Sequence, residues 1–496
     1  MSKRFLLSAI LLGLALVVSG FWFSHSLEVS KDLTRGDAWE YVQASYQDDL
    51  SLTGKRLFGY PLFLKVHRDL VNMISQTTES PYWLSAALIS QLIIFFVSTY
   101  VLCRALRMTN LVVPSFVTAL ALAHPVFAAY SALPMSDVLC TATFSFMIAA
   151  LVYLFRSKLS SWRAALGLGL SLGVAIVLRP NMPATVVVVL LTIIGVGVLV
   201  GRQERWSNGL TAKRVSVSLA LVVLAFSPLF IRALYRCSKT YGQACLINPY
   251  LGNIGLKISV GYGISSPRWQ GAPKMAGVMS TFDPHFEQVN QTCQKAVPFP
   301  LEKAPLAWLL RCYLATPLEL PLQLLKKVTA AFDNASVNSM AYEQTTPTEA
   351  DFNRGFALVG FLGFFIGVGA YLRALWRRDA VTLGYLTPAI GFVLIQINFH
   401  VENRYFFPVY PVFFVFALGS MCLVLQKPIR QQALFWSGCS VCAAFFFLQT
   451  QWWDLQDCAS FHAQAAHLQG SERLSRTCPP PDKTTELLRT SARFLP

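Results

Sequence analysis

Runs of about 20 consecutive apolar residues, the length that crosses a bilayer as a helix, recur along this chain and leave few folds open. In lipid every backbone amide must find its partner within the protein, so a chain built from such runs folds as a bundle of helices. The first run, Phe5 to Phe23, follows the basic start Met1-Ser2-Lys3-Arg4. Its flank Ser19-Gly20-Phe21-Trp22-Phe23 lacks the small-residue cleavage site of a signal peptide, so it reads as a retained first helix. Ten more runs lie at roughly 82–103, 110–132, 137–155, 164–180, 182–201, 215–235, 354–372, 380–398, 405–425 and 432–450. The expected fold class is therefore all-α, a polytopic membrane bundle of about 11 transmembrane helices. Only 13% of the 496 residues are charged, against roughly 25% in soluble proteins. That excludes a cytosolic enzyme, a secreted disulfide scaffold or a disordered chain as a description of the whole.

The formal net charge is +16. In a membrane protein such an excess belongs to cytoplasmic loops, so no nucleic-acid partner is inferred. Threading the 11 runs puts Lys3/Arg4, Arg104/Arg107, Arg156/Lys158/Arg163, Arg202/Arg205/Lys213/Arg214, Arg373/Arg377/Arg378 and Lys427/Arg430 on one side, each loop basic. The amino terminus is then cytoplasmic and the carboxyl terminus outside the cytoplasm. Residues 1–450 form the transmembrane domain, with outer loops at 26–80 and 236–353, and residues 451–496 form a non-cytoplasmic tail. Amphipathic helices are expected in the outer loops. Within 298–334, Trp308, Leu309, Leu310, Leu318, Leu320, Leu324 and Leu325 alternate with Arg311, Lys326 and Lys327, which suits either an interfacial helix or packing on the bundle. Of the 11 cysteines, Cys237, Cys245, Cys293, Cys458 and Cys478 are assigned to outer segments. Cys237–Cys245 and Cys458–Cys478 are the pairs closest in sequence, and the other six read as buried apolar thiols.

Ionisable residues at the outer ends of the spans are the candidates for chemistry. Asp37, Glu40 and Tyr41 share one face if a helix starts at residue 37. Two carboxylates there can serve as a general base or a metal ligand, and Asp-x-x-Glu is equally a helix capping pattern. Asp137 stands where a span returns from the outer face, as a second acidic site or as an N-cap. Arg179, in Arg179-Pro180-Asn181, and Arg404, in Glu402-Asn403-Arg404-Tyr405, run against the charge bias and need partners: a phosphate, an ion pair or an interfacial anchorage.

Five segments taken together resemble the GT-C superfamily of polyprenyl-phosphate-sugar-dependent glycosyltransferases, in the branch of protein O-mannosyltransferases and lipid A aminoarabinose transferases. They are Gly36-Asp37-Ala38-Trp39-Glu40-Tyr41 followed by Gly59-Tyr60-Pro61; Pro134-Met135-Ser136-Asp137; Gly167-Leu168-Gly169 through Leu178-Arg179-Pro180; Ser227-Pro228-Leu229-Phe230-Ile231-Arg232 before Gly252-Asn253; and Glu402-Asn403-Arg404-Tyr405 with Pro408 and Pro411. The resemblance covers about residues 1–425 and follows the family's order.

The resemblance implies a multi-pass enzyme of the bacterial inner membrane with a periplasmic active site. A polyprenyl-phosphate-linked sugar would be the donor, and a glycan, lipid or protein hydroxyl the acceptor, with membrane lipids around it. Asp37 would activate that hydroxyl and Asp137 would be a second acidic residue. Glu40 is also carried as a catalytic candidate, although it follows Asp37 by three residues instead of forming the adjacent Asp-Glu pair of the mannosyltransferases. Arg404 and Arg179 would hold the carrier phosphate, and Tyr41, Tyr60, Asn181, Glu402 and Tyr405 would line the substrate cavity. A divalent cation, Mg²⁺ or Mn²⁺, is the one candidate cofactor. Direct displacement would invert the anomeric centre. The alternatives are a polysaccharide polymerase or ligase of another membrane fold, which would not need Asp37, and a transporter, which would carry midplane charges on broken helices.

Overall fold

The structure is a computed structural model of the 496-residue chain. It describes residues 3–29, 37–47, 57–77, 80, 82–106, 112–242, 245, 264, 266–267, 283–296, 305–333, 347–398, 405–465 and 480–491. Every regular element of length among the described residues is helical. The helices are α1 (Lys3–Val29), α2 (Asp37–Ser45), α3 (Gly59–Ser75), α4 (Trp83–Ala105), α5 (Val112–Ala123) and α6 (Pro125–Ser131). There follow α7 (Asp137–Arg156), α8 (Trp162–Leu178), α9 (Met182–Gln203), α10 (Asn208–Tyr241), α11 (Pro284–Ala296) and α12 (Pro305–Ala315). The last are α13 (Leu320–Phe332), α14 (Pro347–Arg377), α15 (Ala380–Gln396), α16 (Tyr410–Val424), α17 (Ile429–Ala465) and α18 (Pro481–Ser491).

The chain is an all-α polytopic membrane protein. Among the described residues, seven helices, α1, α4, α7, α9, α10, α14 and α17, are long and apolar enough to cross a bilayer, and α5 with α6 makes an eighth, broken span. The shorter apolar helices α8, α15 and α16 occupy the three remaining expected runs. The span expected at 110–132 is broken: its two helices meet at a 65° bend at His124. Pro125 has no N–H to continue the ladder, and the imidazole of His124 accepts from the Val126 N–H at 3.3 Å, capping the second half.

The chain divides into two compact units. The first comprises Met1–Gly252, Gly363–Phe392 and Phe407–Ser420. Its centre is α7, whose apolar stretch is 83% buried, with α4 and α8 packed against it. Helix α8 also packs on α10 through small residues: a Cβ on Gly169 would collide with the Val222 carbonyl. The imidazole of His124 lies 3.2 Å from the hydroxyl of Tyr410 and is fully buried. Cys237 and Cys245 are bonded as expected, with Cα atoms 5.3 Å apart.

The second unit comprises Asn253–Leu362, Val393–Phe406 and Met421–Pro496. Here Cys293 of α11 is bonded to Cys312 of α12, Cα atoms 5.0 Å apart, inside a cluster with Ile264, Trp308 and Leu309. This corrects the reading of Cys312 as a buried apolar thiol: the residue belongs to the same long loop as Cys293, and packing of α11 on α12 brings the two together. Cys458 is disulfide-bonded, and Cys478 lies outside the described residues. On α12, Leu310 and Leu314 face outward while Trp308 and Leu309 are buried, so the helix is amphipathic.

Lys326 and Lys327 are not on a solvated face; both are buried. Lys326 donates to both oxygens of Asp283 at 3.3 and 3.2 Å, and Trp453 Nε1 donates to the same carboxylate at 3.0 Å. Lys327 reaches the Tyr313 hydroxyl at 3.5 Å, and that hydroxyl donates to Asn398 Oδ1 at 2.7 Å. Burial pulls the Lys327 ammonium down to about 7 from its usual 10.5.

Candidate active site

The sequence candidates in the first unit converge on the start of α7. Arg179 ends α8 in an extended conformation (φ −141°, ψ 137°), as the residue before a proline is driven to do, and this turns its side chain out of the helical array. Its Nη2 donates to Oδ1 of Asp137, and both side chains are buried. Oδ2 of the same carboxylate is buried without a hydrogen-bond partner.

The N-cap of α7 is Ser136, so Asp137 is the first helical residue and not the cap. The negative charge still favours the positive end of the helix. Ser136 makes no capping bond; its hydroxyl lies 3.2 Å from the hydroxyl of Tyr41. This contact docks α2 on the start of α7. Asp37 is the first residue of α2, and its side chain lies outside the described part. Glu40 is half-buried and Tyr41 buried.

Tyr60 stands edge-on to Tyr41, ring centroids 5.1 Å apart. Its position follows from Gly59, where a Cβ would come within 2.6 Å of the Val177 carbonyl oxygen; only glycine lets α3 begin on the end of α8. The fully buried Tyr60 hydroxyl donates to Gln91 Oε1 at 3.0 Å. The Gln91 amide in turn donates to the carbonyls of Ser131 at 2.6 Å and Leu133 at 3.0 Å. Tyr41 and Gln91 thus hold the turn Ser131–Ser136 from two sides, and with it Asp137. Burial, then the nearby Tyr41 and Asp137, raises the Tyr60 phenol well above its usual range, so it remains a neutral donor.

Tyr41, Tyr60, Asp137 and Arg179 therefore form one cluster. Asn181 is half-buried at the N-cap position of α9, two residues after Arg179. Glu402 and Arg404 lie outside the described residues, and Tyr405 is half-buried in the second unit. Gln91 and Ser136 were not singled out from sequence. Gln91 carried a usable signal, an amide in the middle of an apolar run. Ser136 carried none, since a lone hydroxyl at a helix start is ordinary. Among the described residues no group of three or more His, Cys, Asp or Glu side chains is gathered to hold a metal.

No family model matches the chain, and no curated protein does. Among solved structures it is similar to the oligosaccharyltransferase of Archaeoglobus fulgidus in complex with Zn and sulfate, at 12% identity and TM-score 0.46, over 96% of this chain and 56% of that one. It is also similar to AglB of the same organism in complex with an inhibitory peptide and a dolichol-phosphate, at 10% identity and TM-score 0.39, over 95% and 59%. ArnT from Cupriavidus metallidurans bound to undecaprenyl phosphate matches at 14% identity and TM-score 0.38, over 84% and 78%. The chain spans less than two thirds of the archaeal enzymes' length.

Proposed function

We propose that the chain is a membrane glycosyltransferase that moves a sugar from a polyprenyl-phosphate donor to an acceptor hydroxyl at the periplasmic face of a bacterial inner membrane. The observation that supports it is the Asp137–Arg179 pair beneath Tyr41 and Tyr60. There a buried carboxylate with one open oxygen is held at a helix start, beside the helix that Asp37 opens.

The acceptor oxygen attacks the anomeric carbon from the face opposite the phosphate. Asp37 takes the hydroxyl proton as the new C–O bond forms. The bond from the anomeric carbon to the phosphate oxygen breaks, and its electron pair leaves with the polyprenyl phosphate. One displacement inverts the centre. Arg404 holds the charge that grows on the leaving phosphate, where a positioned cation contributes most. Arg179 donates to Asp137 and holds its carboxylate in place. Mg²⁺ takes one or two carboxylates together with a substrate phosphate, and the open Oδ2 of Asp137 is one oxygen that such a cation could use. A cation bound there would neutralise the phosphate further.

The test is transfer by the purified chain from a labelled polyprenyl-phosphate sugar to an envelope extract. Label in an acceptor with release of polyprenyl phosphate supports the reading. A donor panel left wholly unconsumed overturns it.

A further inference from the structure

The cluster around Asp137 occupies one end of α7 and α8; a cavity of about 890 Å³ opens at the other. Asp137 and Arg156 bound α7, so the two sites stand about 30 Å apart along the helix, close to the thickness of a bilayer core. The cavity is two-sided. Its outer end carries the cations Arg104, Arg156 and Arg163, and none of the described lining residues is acidic. Its inner wall is apolar, with Phe146, Gly167 and Leu170. Arg156 donates to the Ala105 carbonyl and so closes the end of α4, while Arg104 and Arg163 are exposed. Ser161 caps α8 by accepting from the Ala164 N–H at 3.3 Å, which leaves the positive end of that helix at the same rim. Tyr153 and Leu170, 46% and 55% exposed, mark the lateral opening.

Gly167 explains why the space exists. A Cβ there would meet nothing within 4 Å, whereas Gly169, two residues on, is pressed against Val222 and Ala225 of α10. The second glycine serves packing. The first leaves room.

We infer that this cavity binds a membrane lipid with an anionic headgroup, which enters sideways with its headgroup among Arg104, Arg156 and Arg163 and a chain along Phe146, Gly167 and Leu170. The charge complementarity selects an anionic headgroup, and the apolar wall selects a lipid over a soluble anion. The inference is independent of the proposed transfer reaction.

Native mass spectrometry of the delipidated full chain, offered dioleoyl phosphatidylglycerol or dioleoyl phosphatidylcholine, tests it. The wild type is expected to retain the anionic lipid at least fivefold better. Arg104→Gln and Arg163→Gln should each lower that retention about fivefold. Gly167→Leu, which fills open space and leaves the α10 contact intact, should lower retention of both lipids with an unchanged melting temperature. Equal retention of the two lipids by the wild type overturns the proposal, as does full retention by Gly167→Leu. Inorganic phosphate binding as well as the lipid, or a dimer that Gly167→Leu abolishes, would assign the cavity to another occupant and overturn it too.

Discussion

Arg179 and Asp137, 42 residues apart in sequence, share one buried hydrogen bond that leaves Oδ2 of the carboxylate open. Removing either partner strands a charge, and a broken buried pair costs about 3–5 kcal/mol. Asp137→Asn and Arg179→Gln should each lower the unfolding midpoint of the purified protein sharply. The double variant should be more stable than either single one. Additive losses would show that the two do not stabilise each other.

Gly59→Ala tests how α3 is seated. Its Cβ would press on the Val177 carbonyl, and such overpacking costs about 1–3 kcal/mol. The alanine variant should melt earlier and loosen Tyr60, while Gly13→Ala, where nothing lies within 4 Å, should change little. Equal effects of the two substitutions would contradict this packing.

Lys327 should leave a signature in the pH dependence of stability. Its folded pKa, about 7, lies below the usual 10.5, so between those values the unfolded chain binds the extra proton. Stability therefore rises with pH across that window, by about 1.4 kcal/mol per unit from this group, and is flat with respect to it below 7. Lys327→Met should flatten the slope in denaturation curves from pH 7 to 10. An unchanged slope would show the ammonium is not desolvated.

The runs were legible because hydropathy alone marks them, and each of the eleven holds a helix. The bend at His124 was not. Proline gives no sufficient signal, since Pro228 and Pro388 lie inside the continuous helices α10 and α15. What differs at Pro125 is the neighbouring imidazole that caps the broken end, a tertiary choice confirmed by Tyr410. In the site, Asp137 and Arg179 each stood out as charges at helix ends. Their pairing did not, because two residues on different helices have no spacing rule. For Lys326 and Lys327 the sequence left a solvated face and packing equally open, because Asp283 and Trp453, the partners of the buried Lys326, come from distant segments.

Arg404→Ala addresses the donor. Losing a charge-assisted bond to phosphate costs roughly 1.5–3 kcal/mol, so affinity for polyprenyl phosphate should fall about tenfold or more, with acceptor binding little changed. Titration of purified protein with the lipid phosphate checks this. Undiminished binding would assign Arg404 to anchoring instead.

The most direct measurement is the turnover of Asp37→Asn. Asparagine keeps the volume of aspartate and caps a helix about as well, so a residue that only starts α2 would tolerate the exchange. It lacks the charge needed to take a proton. Transfer from polyprenyl-phosphate sugar by a folded Asp37→Asn enzyme should drop roughly 100-fold or more, with donor binding intact and Glu40→Gln losing less. A well-folded Asp37→Asn enzyme that keeps most of its transfer activity would contradict the assignment of Asp37 as the base.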